Sequence, residues 1–217
     1  MKPAAAGPIL LSELAFYREL KAVTQPLHDR LAASIPLLDP QLTLDAYRNI
    51  LRRFYGIYAP FEAVINRATY EPFLSSHSCR SQAEWLEQDL RALGDDADQL
   101  AAIPRCSTLP SLSSRAKLLG ALYVMQGATL GGQFVIQTLK TSVGPQALRS
   151  TRFFQSYGDQ VKPMWVTFLE RLVRAADSPQ EECAIIESAC NTFACFERWF
   201  SRFRAPTRNC HGDDRSE

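Results

Sequence analysis

The chain has 217 residues, 46% of them hydrophobic and 22% charged, with a formal net charge of +1. That is enough apolar material for one well-buried domain, and so neutral a balance argues against a nucleic-acid partner. No apolar run approaches the ~20 residues of a membrane span, the opening MKPAAAGPILLSE is a poor secretory signal, and six cysteines without a C-x-x-C read as reduced small hydrophobes in a cytoplasmic protein.

Residues 1–11 are a Pro- and Ala-rich lead-in, expected to be flexible. Ser12 and Glu13 offer a helix start, and Leu14, Tyr17, Leu20, Val23, Leu27 and Leu31 follow at helical spacing. Pro26 is expected to kink this helix just before His28, and Pro36 and Pro40 to mark its end. Thr43 caps a second helix, whose stripe from Leu44 through Tyr47, Ile50, Leu51, Phe54, Ile57, Tyr58 and Phe61 to Ile65 has the clearest 3.6-residue period in the chain. Arg48, Arg52 and Arg53 are expected on its solvent side.

A serine-rich loop over 75–81 precedes a helix predicted over 82–93, and Pro104 and Pro110 mark a long linker. Leu119 to Leu139 is predicted as one helix, ended by Gly144-Pro145. Phe168, Leu169, Leu172 and Val173 belong to the next. Ser178-Pro179 starts the last, with Ile185, Ile186, Ala189, Phe193, Phe196, Phe200 and Phe203 as its buried stripe. Residues 204–217 are polar and expected to be a flexible tail. Strand-type alternation and repeats are absent from the sequence, so the fold class is all-α, one domain over 12–203 of about eight helices.

The helix over 119–139 holds Gly127, Gly131 and Gly132 in its middle. Each interior glycine costs ~0.5–1 kcal/mol relative to alanine, so this clustering needs a physical reason. A kink, close helix packing, or close approach of a flat ligand to bare backbone would each supply one. At ~100° per residue Val124, Gly127, Ala128, Gly131, Gly132 and Val135 share one broad face. That face carries no side chain larger than valine and is about as wide as a planar ligand.

The segment YVMQGATLGG (123–132), taken with LKAVTQPLH (20–28), resembles the heme oxygenase family. In that family a proximal helix carries the iron-ligating histidine in an L-K-x-x-T-x-x-x-H context, and a distal helix lays G-x-x-x-G-G over the other heme face. The glycine segment is most similar to the bacterial biliverdin-producing branch that accompanies bacteriophytochromes. Leu86-Glu87-Gln88-Asp89-Leu90 matches the family's L-x-x-D-L, Phe153 to Trp165 is similar to FFxGYG…MW, and Ala189 to Phe200 to A-x-x-T-F-x-x-F-x-x-W-L/F. The resemblance spans roughly 12–203, in order.

The resemblance implies a heme-oxygenase-like helical bundle with heme between a proximal and a Gly-rich distal helix. The implied reaction opens heme with dioxygen to biliverdin, carbon monoxide and ferrous iron, heme being both substrate and cofactor. His28 is the candidate iron ligand; a neutral imidazole binds heme iron and leaves the sixth position open. Gly127, Gly131 and Gly132, with Ala128, form the candidate catalytic face. Ala128 stands where animal members carry an aspartate and bacterial ones often a serine, and Gln126 replaces a common glutamate. Proton delivery is then expected from water held on backbone carbonyls, or from another side chain.

Lys21, two helical turns before His28, matches a family lysine near a heme propionate; Tyr123, Lys162 and Arg152 are further candidates for heme binding. The family's H-x-x-L-E becomes His28-Asp29-Arg30-Leu31-Ala32, so the acid expected behind the imidazole is missing. No flavin or nicotinamide fingerprint is present, so electrons are expected from a ferredoxin- or flavoprotein-type donor, and a bacteriophytochrome is the implied biliverdin acceptor. His77 and His211 are expected to be solvated. The alternative is a non-catalytic heme-binding or heme-sensing protein of the same fold, motivated by Ala128 and Gln126. A related thiamine-degrading enzyme would need a pocket cysteine, for which the sequence offers Cys190 and Cys195 on an aromatic stripe.

Overall fold

Side-chain caps start several helices where the sequence offers them. Thr43 Oγ1 accepts the Ala46 N–H at 3.2 Å, Ser114 Oγ that of Lys117 at 3.2 Å, and Ser178 Oγ that of Glu181 at 3.3 Å. A computed structural model describes residues 11–67 and 82–202, and the regular structure there is all helical. In chain order the helices are α1 (Leu11–Ser34), α2 (Leu44–Ile65), α3 (Gln82–Ala92), α4 (Ala97–Ala101), α5 (Arg115–Gly127), α6 (Gly132–Ser142), α7 (Pro145–Leu148), α8 (Arg152–Gln155), α9 (Val161–Ala175) and α10 (Pro179–Ser201). Turns of 3-10 helix join α5 to α6 (Ala128–Gly131) and lead into α9 (Gly158–Gln160). The lead-in, the serine-rich loop with His77, and the tail with His211 lie outside the described residues.

The long helices fall where periodicity puts them, except that the single helix predicted over 119–139 is broken by the 3-10 turn at Ala128–Gly131; α1 runs through Pro26 to Ser34 without ending. The stripe of α2 builds the aromatic core. Phe54 lies 5.4 Å from Phe153 and 5.0 Å from Phe200, and Tyr58 and Phe61 each lie 5.7 Å from Phe196. Edge-to-face, tilted and stacked pairs at these separations add to the burial that dominates folding. Helices α5 and α10 cross in close contact. A β-carbon at Gly120 would collide with the Ile185 carbonyl oxygen and stand 2.7 Å from Ser188 Cβ. Ser188 Oγ donates to the Lys117 carbonyl at 2.5 Å, so the bare backbone lets the two helices touch.

Two expectations need correction. Arg48 and Arg52 do not simply face solvent: both guanidinium groups converge on Asp95, whose side chain is fully buried, and Arg53 gives its carbonyl to Trp199 Nε1 at 2.8 Å. The turn after α3 folds back over α2 and brings the acid with it. The path from Arg115 to Ser142 is also long and apolar enough, by length and composition, to cross a membrane. In the fold 67% of its most apolar window is buried, because it is the core helix on which α10 packs.

Candidate active site

The first wall of the site is one face of α1. Tyr17, Lys21, Thr24 and His28 recur at the helical spacing of this face. The His28 side chain is 59% exposed, with its Nδ1 3.1 Å from Asp29 Oδ1. Gln25 Nε2 donates to the same oxygen at 2.8 Å. The His28 hydrogen bond, and then that from Gln25, hold the Asp29 carboxyl below its ordinary range. Because an ionised carboxylate only accepts, His28 Nδ1 is the donor to Asp29, and Nε2 is the ring nitrogen not engaged by that contact. Phe193 of α10 meets the imidazole edge-on at 6.4 Å. An acid therefore does stand behind the imidazole, supplied by the adjacent residue instead of a position one turn on.

The second wall is the joint of α5 and α6. Its 3-10 turn advances 120° per residue instead of 100°, which changes the phase of the helix face. Thr129 Oγ1 donates to the Gln126 carbonyl at 2.7 Å within this turn. The predicted small-residue face is divided as a result. Val124, Gly132 and Val135 are buried, whereas Ala128 and Gly131 are exposed. Among the described residues, a β-carbon at Gly131 would meet nothing within 4 Å, and one at Gly127 would touch only the Trp165 ring at 3.5 Å. At Gly132 it would run into the Phe154 carbonyl of α8. Gly132 thus seats the turn on α8, while Gly127 and Gly131 present bare backbone.

Tyr123 ties the two walls together. Its hydroxyl lies 3.4 Å from Thr24 Oγ1, which donates its own proton to the Leu20 carbonyl at 2.7 Å, so the tyrosine is the donor between them. Burial raises the Tyr123 pKa and keeps that hydroxyl protonated. Thr24 is one helical turn before His28. Trp165 of α9 lies beside Tyr123 at 5.6 Å and stacks on Phe168 at 5.5 Å. Lys21 and Lys162 are exposed. Arg152 places its guanidinium 4.8 Å over the Trp85 ring and donates from Nη1 to the Ser156 carbonyl at 3.0 Å, which commits it to the α3–α8 side. Thr24 and Trp165 were visible inside the motifs, as the T of L-K-x-x-T and the W of MW; Asp29 had no periodic signal.

A family model described as heme oxygenase matches residues 14–202. The chain belongs to the heme oxygenase family. It is an enzyme of the oxidoreductase class, with heme as substrate and cofactor. A heme oxygenase from Xanthomonas campestris pv. campestris (strain 8004) is 30% identical over 152 residues, 70% of this chain and 87% of that protein. The NO- and CO-bound heme oxygenase from Neisseria meningitidis shares the fold, with a TM-score of 0.66 at 19% identity, covering 86% of this chain and 90% of that one. The residues fit the group: an exposed imidazole whose Nε2 is not engaged by Asp29, an aromatic flank, and backbone without side chains at Gly127 and Gly131.

Proposed function

We propose that this heme oxygenase holds the iron of heme through His28 Nε2 and covers the opposite face with the bare turn at 127–131, releasing biliverdin, carbon monoxide and ferrous iron. The observation that carries this reading is the 3.1 Å His28–Asp29 pair, which engages Nδ1 and leaves Nε2 as the ring nitrogen available to a ligand. Bound there, heme supplies the iron chemistry and the ring that is opened. Gly127 and Gly131 leave the backbone accessible at close range, and Ala128 adds no acid. Water held by backbone carbonyls of the turn then moves the protons. Lys21 and Lys162 offer their ammonium groups to the propionates; Arg152 would first have to leave Trp85 and Ser156.

Electrons come from an external donor of the ferredoxin or flavoprotein type. The likeness of YVMQGATLGG to the bacteriophytochrome-associated branch supports a bacteriophytochrome as the biliverdin acceptor. Anaerobic heme titration, followed by reductant and air, tests the reading. Loss of the Soret band with growth of biliverdin absorbance and carbon monoxide is expected. A heme complex that stays intact under these conditions would make the protein a heme binder or sensor of the same fold.

A further inference from the structure

A chain of buried backbone contacts runs from α2 to the bare turn. Glu62, buried near the end of α2, accepts the N–H groups of Gln82 and Ala83 at 3.1 Å each and so holds the start of α3. Two turns further along α3, the Asp89 carboxylate is 1% exposed. Its Oδ1 accepts the Arg152 N–H at 2.8 Å and its Oδ2 the Phe153 N–H at 2.9 Å. These are the first two amides of α8, which spans four residues and has no side-chain cap from its own N-cap residue. A single turn does not hold its own shape in water, so the grip must come from outside. The next residue, Phe154, presents the carbonyl against which Gly132 rests.

We propose that Asp89 is a positioning residue for the heme reaction: by gripping the first two amides of α8 it sets the Phe154 carbonyl, and through Gly132 the height and tilt of the bare turn over the substrate. This rests on the reading of that turn as the heme cover. Asp89 itself touches no substrate. Both of its oxygens are used on adjacent amides, so the grip fixes direction as well as distance. Tyr47 Oη also donates to the Ser150 carbonyl at 2.5 Å, just ahead of α8, so the segment stays tethered at one point when Asp89 is changed.

Asp89→Asn keeps one acceptor and turns an amide N–H₂ toward the second backbone N–H. The apo chain gives the first readout, by hydrogen exchange. Asp89→Asn is expected to speed exchange about ten-fold or more over 151–156 and also over 127–133, the population change that follows loss of a charge-assisted hydrogen bond. Exchange in α2 and α10 is expected to stay as in the parent. Ser188→Ala, which loosens the α5–α10 contact, serves as a control for general destabilisation. In the loaded enzyme Asp89→Asn is expected to change the ratio of biliverdin isomers, because the turn decides which ring edge is reached.

Gly132→Ala, which pushes the turn off Phe154 from the other side with Asp89 intact, is expected to shift the same ratio and covers the case that Asp89→Asn does not fold. Faster exchange confined to 151–156, or an isomer ratio that neither variant moves, overturns the proposal. If the parent degrades no heme while exchange at 127–133 still follows Asp89, the functional reading fails and the mechanical coupling stands.

Discussion

The His28 side chain is 59% exposed and meets Phe193 only edge-on at 6.4 Å, so His28→Ala is expected to leave the apo fold within about 0.5 kcal/mol of the parent. Heme still docks through burial of its apolar ring, but the ferric spectrum changes and turnover collapses, with partial rescue by added imidazole. Normal heme degradation by this variant would remove His28 as the ligand. The glycines give a sharper contrast. Gly132→Leu meets the Phe154 backbone and should lower the free energy of unfolding by ~1–3 kcal/mol or more. At Gly131 a β-carbon meets nothing within 4 Å among the described residues, so Gly131→Leu is expected to keep or raise stability; on the proposed reading, in which this backbone covers the substrate, heme degradation should fall. Similar stability losses for both variants would contradict the division. At this scale the residue types were legible in the motifs, but their jobs were not. That Gly132 packs and Gly131 does not depends on the Phe154 carbonyl, which lies on another helix. Asp29 was overlooked because residues adjacent in sequence do not normally face each other on a helix.

Elements with a long apolar stripe, α2 and α10 above all, were legible from period alone, since burial of one face dictates the helix. The single-turn helices α7 and α8 were not, because tertiary contacts hold them; α8 exists by courtesy of a carboxylate on α3. α4 did carry a local sign, the capping box of Asp96 and Gln99. The same use of buried acids makes the joints between elements pH-sensitive. Burial raises Glu62 to about 7 and Asp89 to about 6 against the backbone hydrogen bonds that lower them. Both folded values lie above the unfolded ones, so between roughly pH 4 and 7 the folded chain binds more protons than the unfolded chain. The stability these groups contribute is fully present below their unfolded values and is lost as pH rises through 6 to 7. Urea midpoints at pH 5 and pH 8 should therefore differ less in Glu62→Gln than in the parent. An unchanged difference would mean that Glu62 does not titrate in this window.

On the scale of the whole molecule, both walls of the site hang on one helix crossing. The bare turn continues α5, and Phe193, which flanks His28, belongs to α10. Gly120 sets how closely α5 and α10 approach, and the Ser188 hydrogen bond to the Lys117 carbonyl fixes their rotation. A side chain at 120 must move backbone on α10, so the cost cannot be absorbed by a rotamer change. Gly120→Val is expected to cost on the order of 3 kcal/mol or more, a fall in Tm of roughly 6–12 °C for a chain of this size. Because the crossing carries both walls, the surviving folded fraction should also bind heme more weakly, with His28, Gly127 and Gly131 all unaltered. His28→Ala and Gly131→Leu predict the reverse pattern, lost turnover with stability kept. Heme affinity of Gly120→Val equal to the parent's, measured well below its Tm, would show that the crossing supports the fold without setting the spacing of the two walls.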